Sequence, residues 1–103
     1  MHNYAVEIKK YTPEVNEAAL AAIEKYLEIA MRNPDSSLVS ATDSKEVATV
    51  RDGFAAKKLG LAPEAADAGI KAVAEKMKAA KQKNRVVFYY LLAEATGTLG
   101  KLS

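Results

Sequence analysis

The sequence contains no cysteine and no tryptophan, one histidine and three prolines in 103 residues. Without cysteine there is no disulfide, no zinc–thiolate site and no redox couple, and so no redox clue to a compartment. The lone histidine is His2, at the very start of the chain. A Ser-His-Asp constellation therefore lacks a well-held base, and a Glu-x-x-His di-iron motif lacks its ligand. The few glycines, among them Gly60, Gly69, Gly97 and Gly100, never fall into G-x-G-x-x-G or G-x-x-x-x-G-K, which excludes those phosphate-cradling loops. No apolar run approaches the roughly 20 residues of a membrane-spanning helix. The strongest is "VVFYYLL" at 86–92. The first residues, "MHNYAVEIKKY", have no apolar stretch behind a basic start, as a signal peptide would. The expectation is a soluble, cytoplasmic, single-domain protein without cofactor, bound metal or membrane contact.

What is present is a sequence of helix signals. In "TPEVNEAALAAIEKYLEIAMRNP", Thr12 is a good N-cap and Pro13 suits the first helical position. Leu20, Ile23, Leu27 and Met31, broadened by Tyr26 and Ala30, form a stripe at helical spacing. Asn33-Pro34 stops it, which predicts a helix over about 13–32. Residues 35–46 read as a polar loop, with Leu38 and Val39 tacking it onto the core. Asp43 and Glu46 are spaced as a capping box for a second helix, about 44–59, with Val47, Val50 and Phe54 on one face. Gly60 is placed to close it in the left-handed conformation, with Leu61 as the apolar residue beyond. Gly53 lies inside this helix, and a close helix crossing is the plain account of it. Pro63 opens a third helix, about 63–80, with Ile70, Val73 and Met77 inward. At the N-terminus, 4–11 alternates like a strand at Tyr4, Val6 and Ile8 and repeats like a helix at Tyr4, Ile8 and Tyr11. A short helix is the simpler choice in this context.

The stretch "KNRVVFYYLLAEATG" at 83–97 decides the fold. Its residues favour strand locally. Asn84, however, can cap a helix and Gly97 can end one, and the span between them is long for a strand. A lone strand in a helical chain would also leave its backbone groups unpaired. A helix over about 84–96 that is apolar all round belongs at the centre of the fold. The fold class is therefore all-α: one compact domain of four main helices and a short N-terminal helix, with 84–96 central. Phe54, Leu59, Val73, Phe88, Leu91 and Leu92 are expected to be buried.

Several of these residues also resemble a known family. Ala48-Thr49-Val50-Arg51, Phe54, "KKLGL" at 57–61, Asn84-Arg85 and residues 87–92 are similar to a family of small bacterial proteins, the domain of unknown function numbered 2853. The similarity is carried by the C-terminal part of the chain. Residues 1–34 follow the pattern loosely, and Gly53 stands where a side chain is expected. The resemblance implies an all-helical single domain. It assigns no activity, so it carries over no catalytic or binding residue.

Charge supplies the remaining clues. Residues 1–44 hold four basic and seven acidic side chains, while 45–103 hold eleven basic and six acidic. Lys76, Lys78, Lys81, Lys83 and Arg85 form a basic strip that could contact an anion, non-specific nucleic acid included. The plain alternative is a solvated helix face followed by a polar linker. Residues 55–70 have a helix-turn-helix outline around Gly60. Its second helix opens Pro63-Glu64-Ala65-Ala66-Asp67, which presents carboxylates to phosphates and no base-reading side chain. Ser44 and Lys45 are neighbours on a helix and do not face each other. Glu24 and Glu28 read as a solvated face, and a calcium loop read from Asn33 has Leu38 in place of its glycine and Ser44 in place of its glutamate, so Asp35, Asp43 and Glu46 read as loop and cap residues. The expected function is a non-catalytic protein-interaction domain that can self-associate, through the outer edge of helix 13–32 or the Leu38-Val39 loop. Anion binding through 76–85 is the alternative.

Overall fold

The computed structural model describes residues 4–12, 15–27, 38–39, 44–78 and 83–102. Helix α1 spans Tyr4–Ile8 and α2 Glu17–Tyr26. Helix α3, Ser44–Thr49, runs directly into a π-helix at Val50–Lys58. Helices α4, Pro63–Lys76, and α5, Arg85–Ala95, follow, and a 3-10 turn at Leu99–Lys101 ends the described chain. The fold is all-α, as the caps and periods imply.

Helix α5 is the centre. Every residue from Arg85 to Ala93 is buried, and the helix packs against α1, α2 and α4. Its ends are built as expected. The Asn84 side chain accepts hydrogen bonds from the Val86 and Val87 amides at 2.9 and 3.3 Å. Gly97 takes φ +70°, and the Gly97 and Thr98 amides donate back to Glu94 O and Ala93 O at 3.1 and 2.8 Å. That is a Schellman closure. Thr96 and Thr98 hydroxyls cover further end carbonyls, at Leu92 and Ala93. The tyrosines keep their rings inside and their hydroxyls bonded: Tyr90 OH accepts from the Asn16 amide at 2.7 Å, and Tyr89 OH from Arg85 at 3.1 Å. Phe54, Leu59, Val73, Phe88, Leu91 and Leu92 are all buried.

Helix α2 starts later than the sequence suggests. Its N-cap is Asn16, whose side chain accepts from the Ala19 amide at 3.1 Å. Thr12 is instead buried beyond α1, with its amide bonded to Ile8 O at 3.0 Å. Two caps were available, and only Asn16 lies beside the Tyr90 hydroxyl that takes up its backbone amide. Pro13, the 28–32 end of the expected helix, the Asp43 half of the capping box and the 79–80 end of the third helix lie outside the described residues.

The π-helix is the larger departure. Its turns close i→i+5 hydrogen bonds, so a face recurs roughly every four to five residues. The buried positions Val50, Phe54, Ala55 and Leu59 follow that spacing. An α-helix continuing the Val47, Val50, Phe54 stripe would next bring Lys57 or Lys58 inward. The wider winding leaves both lysines exposed and delivers Leu59 to the core. The exit bonds record it: Leu59 N donates to Phe54 O at 3.3 Å and Leu61 N to Ala55 O at 3.0 Å, across Gly60 at φ +66°.

Gly53 is not at a helix crossing. A Cβ there would meet nothing within 4 Å. The close crossing is at Gly69, where a Cβ would lie 2.6 Å from Thr96 Cγ2 and 2.8 Å from Leu92 Cδ1. Gly69 thus lets α4 approach α5. Leu38–Val39 form one antiparallel rung pair with Lys83–Asn84, which ties the polar loop to the entry of α5 through the backbone.

Candidate functional site

Three side chains of the basic strip, those of Lys76, Lys78 and Arg85, are among the described residues. Arg85 leaves the strip altogether: its side chain is buried and ion-paired with Glu46, and it donates to Tyr89 OH. Burial opposes the Arg85 charge, but Tyr89 and Glu46 outweigh it, and the guanidinium holds its proton more firmly than usual. Burial also pushes the Tyr89 phenol above its ordinary value, and the Arg85 charge offsets part of this. Glu46 thereby fastens α3 to the start of α5, so this arginine is a structural clamp. Lys76 lies 3.5 Å from Glu94 and Lys78 lies 2.9 Å from Glu75. These exposed pairs add little stability, yet each sets a negative charge beside its lysine and offsets the positive charge offered locally. Lys81 lies outside the described residues, as does the side chain of Lys83. Asp67, in the helix-turn-helix outline, is paired with Arg51 at 3.5 Å. Arg51 also pairs with its neighbour Asp52 and, by hydrogen bonding, lowers that carboxyl's pKa. Asp35, Asp43 and Glu28 lie outside the described residues.

A different cluster forms where three elements meet. Helix α2 contributes Ala22 and Tyr26, one turn apart. The π-helix contributes Phe54 and Lys58, and the C-terminal turn contributes Lys101 and Leu102. Together they line a cleft of about 200 Å³. Tyr26, expected to widen the core stripe, is 44% exposed. Its ring centroid is 5.6 Å from that of Phe54, which stacks in turn on Tyr89 at 4.4 Å. The Lys58 ammonium stands 5.2 Å from the Tyr26 centroid, a cation–π approach. Lys101 donates to Leu59 O at 3.0 Å, covering a carbonyl at the end of the π-helix. Neither Lys58 nor Lys101 is ion-paired with a carboxylate among the described residues.

The cleft was reachable from the sequence only in part. Tyr26 sits at the edge of its stripe and "KKLGL" marks a basic helix end, but joining them to Lys101 requires the π winding and the C-terminal turn. A second cleft, of about 270 Å³, lies between α4 and α5 and is lined mainly by Ala72, Val73, Leu91 and Ala95. No helix is long and apolar enough to cross a membrane among the described residues.

Residues 3–100 match the model of the family described as protein of unknown function, DUF2853. The chain belongs to that family. The match to DUF2853 takes in the N-terminal third as well as the C-terminal segments that carry the resemblance in sequence. No curated protein matches the chain.

Proposed function

We propose that this DUF2853 chain is a non-catalytic protein-interaction domain of the bacterial cytoplasm. Its contact surface is the outer edge of α2 where it borders the π-helix and the C-terminal turn. The observation that carries the reading is Tyr26, a half-exposed aromatic ring at the mouth of a cleft and backed by the buried Phe54–Tyr89 stack. A tyrosine held this way offers a large, rigid, amphipathic contact at low entropic cost, the pattern of interface anchors. Against the rival reading, anion binding through 76–85, stand the carboxylate partners of Lys76 and Lys78 and the burial of Arg85.

The test is photocrosslinking in the cell of origin, with residue 26 replaced by p-benzoylphenylalanine and exposed Lys71 on α4 replaced as control. A discrete adduct from position 26 that is absent from position 71 is expected. Light scattering of the purified chain across concentration then tells whether the adduct is a second copy. No adduct at 26, or the same adducts at both positions, overturns the proposal.

A further inference from the structure

We infer that the cleft between α2, the π-helix and the C-terminal turn takes a short acidic peptide segment, with a carboxylate received by Lys58 and Lys101 and a neighbouring apolar side chain laid against Tyr26. The inference deepens the proposal above, and it rests on that reading: it names the chemistry of the partner.

Three observations carry it. The first is charge. Lys10, Arg51, Lys76 and Lys78 each have a carboxylate partner, and the exposed Lys9, Lys25, Lys57 and Lys71 have none among the described residues, so what distinguishes Lys58 and Lys101 is that they share one concavity. Lys58 is held over a ring face and Lys101 is oriented by the Leu59 carbonyl, so both are partly ordered before a ligand arrives. Pre-ordering reduces the entropy lost on binding. The second is shape and polarity. Ala22, Phe54, Leu102 and the Tyr26 ring give the cleft an apolar floor beside its two cations. That combination suits a side chain next to a carboxylate and wastes its apolar half on a bare phosphate backbone. The third is the wall. Phe54 and Lys58 belong to a nine-residue π-helix, a winding found mostly as single-turn bulges and frequently at functional sites. The wide winding sets Lys58 outward beside Tyr26 while Leu59 takes the core position.

The experiment follows amide signals of the full chain by NMR during three titrations. The probes are an acetylated, amidated peptide alternating aspartate and leucine, the same peptide with asparagine for aspartate, and a short oligouridylate. The acidic peptide is expected to shift residues 22, 26, 58, 101 and 102 together, and the asparagine peptide to leave them in place. Lys58→Gln, an exposed change, should weaken the acidic peptide roughly tenfold, as loss of one charged hydrogen bond does. Lys101→Gln should act in the same direction. A peptide that binds away from these residues, equal binding of the asparagine peptide, or shifts at the cleft with oligouridylate alone would each overturn the inference. Adducts from position 26 combined with a cleft that ignores the acidic peptide overturn this inference and leave the interaction reading standing. Absence of adducts removes the reading itself.

Discussion

Helix α5 and the Val50–Lys58 π-helix are both half of a helix–core contact, yet they wind differently. In α5 every residue from Arg85 to Ala93 is buried. Rotation about its axis or a change of pitch would exchange one apolar side chain for another. Nothing in the core then opposes the better hydrogen-bond geometry of the α-helix, and the two caps fix where it begins and ends. The π-helix is apolar on one side only, with Val50, Phe54, Ala55 and Leu59 buried and Lys57 and Lys58 exposed. Here the spacing of apolar residues decides, because α winding would bury an ammonium, and an unpaired buried charge costs far more than a stretched turn. A uniformly buried helix takes its winding from its backbone, and a one-sided helix takes it from its pattern.

The comparison makes α5 the place where side-chain loss should cost most. Phe88→Ala leaves a cavity in a helix surrounded on all sides and should destabilise by about 3–5 kcal/mol in a denaturant titration. A loss below about 0.5 kcal/mol would mean that the aromatic run is not the core of the fold. The π-helix is tested by exchanging two neighbours, Lys58→Leu with Leu59→Lys. On the observed winding this buries a lysine and exposes a leucine, and the loss should reach at least about 2–5 kcal/mol. If the segment were α-helical, position 58 would extend the Val47, Val50, Phe54 stripe and the exchange would replace a buried ammonium by leucine and raise stability. The double variant therefore reads the winding directly.

How far the sequence reveals these features follows the same division. The α5 ends are legible because Asn84 and Gly97 act locally, through a cap and a left-handed residue that each need only their own neighbours. The all-round burial is legible because no charged side chain interrupts 86–92. The π-helix is not, although its signal is present: beyond Phe54 and the small Ala55 and Ala56, the next large apolar side chain is Leu59, and Lys57 and Lys58 stand before it. Helical periods of three to four residues are so common that the stripe reads as α until Lys57 and Lys58 are weighed as a pair. The α2 start is missed for another reason. Thr12-Pro13 and Asn16 are both acceptable caps locally, and the choice between them rests on the Tyr90 hydroxyl far along the chain. The cleft combines both difficulties, since Lys58 reaches it through the winding and Lys101 through the C-terminal turn. Arg85 leaves the basic strip because, a cation in sequence, it has a carboxylate waiting on α3.

Glycine separates the two regions further. Gly69→Ala places a methyl against Leu92 on α5 and Thr96 at its C-cap, both closer than real Cβ contacts come. Overpacking of this kind costs about 1–3 kcal/mol, and the loss should appear as a lower denaturation midpoint with an unchanged slope. Partial rescue by Leu92→Val, which trims one of the two contacts, would place the cost at that crossing.

The smallest effect expected has the opposite sign. Gly53 sits in the π-helix with negative φ, and a Cβ there would meet nothing within 4 Å. Alanine at that position adds no clash and needs no new backbone conformation. It removes freedom from the unfolded chain, which for a compatible site stabilises by about 0.4–1 kcal/mol. If glycine were kept because a neighbouring helix passes over it, Gly53→Ala would destabilise as Gly69→Ala does. A raised midpoint at 53 beside a lowered one at 69 therefore assigns the close helix crossing to α4 and α5. Equal losses at both positions would return the crossing to Gly53 and remove the ground for treating the two helices as differently determined.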